Sequence, residues 1–348
     1  METFLNILLQ IFSTALVLSV LIFVHELGHF LAARACKIKV NEFALGMGPK
    51  ILKWQGKETL YSVRLFPIGG FCAMEGEDEE SENPGAIGKK PVWQRIIVVS
   101  AGAITNLVIG FVITMVIVLT STALPSHVVA DFTDESLSVQ SGLQAEDEII
   151  KINNKRINVY DDMTTAFSQM YNKTTANLTV RRNGEIVELF DVQFPVFEVS
   201  EDLSILDIDF YVHREEKTVG VIMKHTFFRT LSYVTLVYDT LIDLITGNIS
   251  IKYMSGPIGM SDIVVQAVKS GLQPILFLIA LLSINLAVMN LLPFPALDGG
   301  RLVFMIIELF RGKPINQKYE GLVHLAGIVI LFAFMIFISI KDIIFIGR

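Results

Sequence analysis

Phe23-Val24-His25-Glu26-Leu27-Gly28-His29-Phe30 lies inside an apolar run that extends from Phe4 to Ala33. A bilayer-crossing helix needs about 20 mainly apolar residues, and this run is long enough to be one. On a helix, residues four apart stand one turn apart on one face, so the His25 and His29 imidazoles can reach a single ion. Glu26 projects about 100° away around the axis and is free to handle a proton. Three ionisable groups inside an apolar span are costly unless they face a protein interior or a wet cavity and act there. The stretch therefore reads as a metal site inside a polytopic α-helical membrane protein.

The rest of the chain agrees with that class. Of 348 residues, 52% are hydrophobic and 18% charged, and the mean hydropathy of +0.55 is one that soluble domains do not keep. Ile96–Leu119, Pro274–Leu292 and Gly321–Ile340 are further apolar stretches, so about four transmembrane helices are expected. The first span has no basic segment before it and is longer than the apolar part of a signal peptide, so it is expected to stay in the mature protein. A net charge of −7, with no Lys/Arg stripe interleaved with aromatics, excludes nucleic acid as a partner. Cys36 and Cys72 are the two cysteines, too few for a disulfide framework.

Arg34, Lys37, Lys39, Lys89, Lys90 and Arg95 flank the first loop, and Arg301, Arg311, Lys313 and Lys318 fill the third, which places both loops in the cytoplasm. Both termini and the middle segment then lie outside the cell membrane. The chain divides on this reading into 1–121 (two spans and a cytoplasmic-side loop), an inserted extracytoplasmic α+β domain over 122–223, a membrane-associated amphipathic region over 224–273, and 274–348 (two spans). Within the inserted domain, Ser141–Ile150 reads as a turn and a strand, Val159–Tyr171 as a helix, and Leu178–Arg182 with Glu185–Val192 as a hairpin about Asn183-Gly184, an order that resembles a PDZ domain. Leu231–Ile245 reads as an interfacial helix lying on the membrane, and the acidic run Glu75–Glu82 as a solvated loop.

Catalytic zinc sites take a third protein ligand and keep a fourth position open. With alternating spans, the inner end of the third span lies on the same side as that of the first, and there the sequence reads Asn290-Leu291-Leu292-Pro293-Phe294-Pro295-Ala296-Leu297-Asp298-Gly299-Gly300. Two prolines and two glycines break the helix, and irregular backbone at membrane depth is tolerated only where protein buries it or it lines a cavity. Asp298 on that segment is the candidate third ligand. His324, near the inner end of the last span, competes for the role and otherwise reads as a satisfied interfacial residue. His127, His213 and His225 fall in the outer region and read as surface residues. Tyr61–Phe66 alternates in polarity, and Pro67-Ile68-Gly69-Gly70-Phe71 turns back into a second extended stretch ending near Met74. This membrane-dipping β-hairpin would offer Gly69, Gly70 and Phe71 as a strand edge to an extended substrate; the plainer reading is a surface hairpin.

These residues carry a family resemblance. HExxH in the first span, Asn-x-x-Pro-x-Pro-x-Leu-Asp-Gly-Gly ending at Gly300, and one PDZ-like unit between the second and third spans resemble the site-2 protease family, of the bacterial regulator-of-sigma-E-protease type, over nearly the whole chain. The resemblance implies zinc-dependent regulated intramembrane proteolysis of single-span membrane proteins: anti-sigma factors already trimmed by an upstream site-1 protease, or remnant signal peptides. It implies Zn²⁺ ligation by His25, His29 and Asp298, Glu26 as the catalytic base, and substrate handling by Asn290, Pro293 and Pro295. Gly46-Met47-Gly48-Pro49, Ser100-Ala101-Gly102 with Asn106, and Ser255–Gly259 also match. Ala103, Arg301 and Lys341-Asp342 depart from the family pattern. An outer domain in this position would act as a size filter for untrimmed substrates or would bind newly made C-termini. Two other readings stand beside the protease. A catalytically silent membrane chaperone of the same fold would not need Glu26, and a metal transporter would string polar residues through several spans.

Overall fold

The computed structural model describes residues 2–77, 81–200 and 202–345; residues 78–80 of the acidic run lie outside the described residues. In chain order the first elements are α1 (Glu2–Ala35), β1 (Val40–Gln55), β2 (Leu60–Met74) and α2 (Val92–Thr120). There follow β3 (Leu124–Phe132), α3 (Leu137–Gln140), β4 (Glu148–Ile152), β5 (Lys155–Arg156), α4 (Tyr160–Ser168), β6 (Thr175–Arg182), β7 (Glu185–Gln193), β8 (Val196–Ser200), β9 (Leu203–Leu206) and β10 (Phe210–Glu215). The chain ends in α5 (Val219–Thr246), α6 (Pro257–Ser270), α7 (Leu272–Leu291), α8 (Asp298–Arg311) and α9 (Gln317–Phe345). Two compact units result: Met1–Ile113 with Lys252–Arg348, and Thr114–Ile251.

The first unit holds the membrane core. Among the described residues four helices are long and apolar enough to cross a bilayer: Phe12–Ala35, Val92–Thr120, Leu272–Leu291 and Lys318–Ile344. Without a hydrophobic drive between helices in lipid, close approach depends on small residues, and α1 meets α2 at one. A Cβ on Gly28 would stand 2.5 Å from Ala101 O and 2.5 Å from Thr105 Oγ1. The helix α6 packs Val264 against Leu21 of α1 and Leu278 and Leu282 of α7. Its N-terminus is held by Asp342 of α9, whose Oδ2 accepts from Gly256 N at 2.9 Å and Gly259 N at 3.0 Å. Lys341-Asp342 thus anchors the Ser255–Gly259 stretch to the last span.

The β-structure of this unit corrects the expected hairpin. Tyr61–Phe66 and Phe71–Met74 do not pair with each other; both lie beside the first half of β1. Val40–Leu45 runs antiparallel to Met74–Gly70, while Glu42–Leu45 also lies beside Leu60–Val63, and Lys50–Gln55 runs antiparallel to Arg64–Leu60. Loop-closure entropy favours the nearest partner, and the short connection 56–59 gives Leu60–Arg64 to the second half of β1. β1 can then double back on itself because Gly46 and Gly48 take φ of 85° and 86°, a conformation that costs glycine little. The stretch from Gly70 to Met74 is left at one margin, beside Val40–Leu45 alone.

The second unit is built on a sheet of order β10-β3-β4-β6-β7, with β5 paired to β4. The hairpin at Asn183-Gly184 is present, and both residues have positive φ, 52° and 85°, as a two-residue turn matched to strand twist requires. One core cluster, with Leu143, Ile149, Ile152, Met163, Phe167, Leu178 and Phe194 at its centre, joins the sheet to α4. Buried Asp209 accepts from Leu137 N, Ser138 N and the hydroxyls of Ser136 and Ser138, so α3 has its orphan amides satisfied. Arg182 reaches the fully buried Asp147 with Nε at 2.8 Å and Nη2 at 2.7 Å. The Leu231–Ile245 stretch is the second half of α5, a helix that turns Thr226, Thr230, Ser232 and Tyr233 inward and leaves Val219, Met223, Phe227, Leu231, Ile242 and Ile245 exposed.

Candidate metal centre

The α1 helix brings His25 and His29 to one face, and both rings are buried. Their Nε2 atoms stand 3.1 Å apart. Asp298 opens α8, immediately after the broken segment, and its Oδ2 lies 3.2 Å from His25 Nε2 and 3.3 Å from His29 Nε2. The segment can fold back so tightly because of the two glycines after Asp298. A Cβ on Gly299 would fall 2.0 Å from Leu292 O, and one on Gly300 would fall 2.5 Å from Phe294 O.

Three atoms with lone pairs facing one another at this distance repel unless a proton or a cation sits between them. Asp298 Oδ2 is buried with no hydrogen-bond partner, the condition of an atom whose partner is an ion. A tetrahedral ion with bonds of about 2.0 Å spaces its ligand atoms about 3.3 Å apart, which is the spacing found here. Two imidazoles and one carboxylate form the donor set of a catalytic zinc site. The residues present fit the ion.

The outer partners of the two rings come from α2. His29 Nδ1–H donates to Val98 O at 2.8 Å, which leaves Nε2 as the lone-pair nitrogen. His25 Nδ1 lies 3.3 Å from the amide of fully buried Asn106, whose Oδ1 has no partner when the NH₂ faces the ring. Turned by 180°, the amide presents Oδ1 to His25 Nδ1–H, satisfies that oxygen and frees His25 Nε2 for a metal. Ser283 of α7 donates to Asn106 O at 2.8 Å and holds α2 at this level. Gly102 provides the space: a Cβ there would lie 2.3 Å from His29 Nε2 and 2.8 Å from His25 Nε2.

Glu26, half-buried, stays outside the three-atom cluster. Its Cγ is 3.6 Å from where a Gly70 Cβ would be, so the margin stretch of β2 runs beside the carboxylate. Ser19, in the span itself, donates to Pro67 O and fixes the turn of that stretch against α1. Gly69 takes φ of 86° with Met47 beside it, and Phe71 stacks under the Arg64 guanidinium at 4.6 Å. Arg301 of α8 pairs with Glu77, which also accepts from Met74 N at 3.2 Å, so the sheet is tied to the helix that Asp298 begins.

A profile of peptidase family M50 matches residues 13–334. The chain belongs to this family. A protein of Clostridium acetobutylicum provisionally named a zinc metalloprotease is 34% identical, over 99% of this chain and 98% of its own. Among other relatives, the Bacillus subtilis protein named regulator of sigma-W protease RasP is 28% identical, over 94% of this chain and 96% of its own. The zinc metalloprotease RasP of Shouchella clausii is 29% identical over 94% and 97%. The M50 chain described here is accordingly a metalloprotease, with several apolar helices that make it a multi-pass membrane protein.

Not every M50 position read from the sequence meets the metal centre. Asn290 Nδ2 donates to Leu286 O of its own helix at 3.0 Å. Pro293 is exposed, and Pro295 packs on Gly327 of α9. His324 stands outside the three-atom cluster, and its Nδ1 accepts from Ala296 N at 3.3 Å. His127, His213 and His225 face Glu148, Glu146 and Glu215 in the second unit. Val98 O has no side-chain signature, and Gly102 and Asn106 stood out only as family matches. A glycine and an asparagine one turn apart in an apolar span are the signal by which both could have been found.

Proposed function

We propose that this chain is a zinc-dependent intramembrane endopeptidase that cuts single-span membrane proteins within the bilayer. The observation that carries the reading is the convergence of His25 Nε2, His29 Nε2 and Asp298 Oδ2 to 3.1–3.3 Å, from one span and a broken segment far along the chain, with Glu26 beside them. When bound, zinc supplies a Lewis acid that polarises a carbonyl and makes water acidic near neutral pH. His25, His29 and Asp298 would hold it, the two imidazoles neutral and kept in the required tautomer by Asn106 and Val98 O. The Glu26 carboxylate takes the proton of the attacking water and delivers it to the leaving amine. A substrate helix must unwind to be cut, and its freed backbone groups need partners at membrane depth. The Gly70–Met74 margin of β2, next to Glu26 through Gly70, supplies them by strand addition. Asn290, Pro293 and Pro295 belong to the segment that shapes the approach.

The relative named regulator of sigma-W protease supports substrates of the anti-sigma-factor kind, cut after a first protease has trimmed them. Remnant signal peptides present the same chemistry, one short apolar helix. Charge at the span ends supports a cell-membrane orientation with both termini and the 122–223 domain outside and the metal nearer the cytoplasm. The order of elements in that domain supports a PDZ-like assignment.

The test is co-expression of the full chain, wild type or Glu26→Gln, with candidate single-span proteins. A shorter product from the wild type alone is the expected result. Equal product from both refutes the assignment of Glu26.

A further inference from the structure

From Gly321 to Ile330, α9 turns only two side-chain positions inward. His324 is half-buried, Gly327 is buried, and every other residue in that stretch is exposed. Both inward positions meet the same two adjacent residues, Pro295 and Ala296. His324 Nδ1 accepts from Ala296 N at 3.3 Å, and a Cβ on Gly327 would lie 2.4 Å from Pro295 O and 2.5 Å from Pro295 Cβ. Ala296 itself has φ of 82°, a left-handed conformation that a residue with a Cβ rarely adopts. That conformation aims its N–H at the imidazole, and two residues later the chain delivers Asp298.

We propose that His324 and Gly327 are positioning residues for Asp298, so that the last span holds the third ligand in place without itself ligating. A bond from Ala296 N–H requires an acceptor, so His324 is neutral with its proton on Nε2. A polar side chain in an otherwise apolar span is there for a reason, and here the reason is an amide that a broken helix leaves without an intrahelical partner. Gly327 supplies the notch that lets Pro295 approach close enough for the bond to form. The unusual backbone at Ala296 persists because both contacts over-determine it. If either is removed, Ala296 relaxes and the carboxylate two residues on loses its register with the two imidazoles.

This inference rests on Asp298 being a ligand, and the experiment separates the two claims. Full-length protein in detergent is titrated with zinc against a chromophoric chelator, and kcat and KM are measured on one single-span substrate. Loss of an outer-shell partner lowers metal affinity about 10–100-fold, and that is the expected loss for His324→Leu, with kcat falling and KM within about twofold. His324→Asn is expected to restore most of both, because its Oδ1 occupies the place of Nδ1. Gly327→Ala is expected to weaken zinc in the same way, whereas Gly321→Ala on the same helix, where a Cβ meets nothing within 4 Å, is expected to change nothing. Wild-type zinc affinity in His324→Leu, or equal loss in His324→Leu and His324→Asn, overturns the proposal. Should His324→Leu fail to fold, the comparison of Gly327→Ala with Gly321→Ala decides. Asp298→Asn is the reference. If it loses zinc while His324→Leu does not, only the positioning role falls; if it keeps zinc, the ligand assignment falls first.

Discussion

Gly102→Ala adds one methyl group to the second span and should remove the metal while leaving the fold in place. The new Cβ would lie 2.3 Å from His29 Nε2 and 2.8 Å from His25 Nε2 and Cε1. An ordinary contact is about 3.5 Å, so the His29 ring must retreat by about 1.2 Å. Metal–ligand distances tolerate only about 0.2 Å, and the ring cannot swing away without breaking its 2.8 Å bond to Val98 O. At least one ligand is therefore lost. Zinc binding free energies of roughly 10–16 kcal/mol shared over four positions give about 3 kcal/mol per ligand, or about a hundredfold in affinity. The helix itself prefers alanine to glycine by about 1 kcal/mol, which offsets part of the cost of the lost Val98 bond, so the metal-free protein should stay folded with a melt close to that of the wild type. The assay is chelator competition for zinc beside a thermal melt of the metal-free protein. Gly110→Ala is the control: on the same helix its Cβ would strike Ile284 Cγ1 at 2.5 Å, away from the rings, and should disturb packing with zinc affinity kept. Wild-type zinc affinity in Gly102→Ala would show that the imidazoles do not bind zinc from beside Gly102.

Glu26→Gln should abolish cleavage and keep zinc at the wild-type ratio, since Glu26 stands outside the ligand cluster; elemental analysis beside His25→Ala, which should lose the metal, checks the division of roles. Asn106→Leu should cost about 10–100-fold in zinc affinity by removing the partner of His25 Nδ1, and unchanged affinity in the same titration would refute that role. In the second unit, burial holds His127 and His225 below the usual histidine range; Lys224 adds to the effect on both, while Glu215 opposes it on both and Glu148 on His127. A lowered folded-state value means that the unfolded chain takes up the proton first, so this stability is full above about pH 6.5 and falls with acidification through the folded-state values. Asp161, raised by burial, acts in the opposite sense. The loss between pH 7.5 and 5.5 should therefore shrink in His225→Gln, and identical pH profiles for mutant and wild-type melts would count against the assignment.

Local rules account for what was legible along the chain. Length and polarity alone mark the four spans, because lipid admits only helices whose backbone bonds are internal. The i, i+4 spacing of His25 and His29 is a property of one helix and needs no tertiary contact. Asn183-Gly184 announces its turn because both positions must take positive φ. Asp298 could be singled out because prolines and glycines at membrane depth need an explanation. The double register of β1 was not readable, since alternation identifies a strand but not its partner, and both halves of β1 compete for the same neighbours. The positions that hold the rings were equally hidden. Val98 O and Asn106 lie about 70 to 80 residues from the histidines they orient, and Gly102 matters only because two helices cross there. From the sequence His324 is a rival ligand or an interfacial residue, for the sequence says that it is polar and in a span, not what it faces. That was decided by the fold, which bends the Pro293–Leu297 segment back until Ala296 N–H points at the last helix.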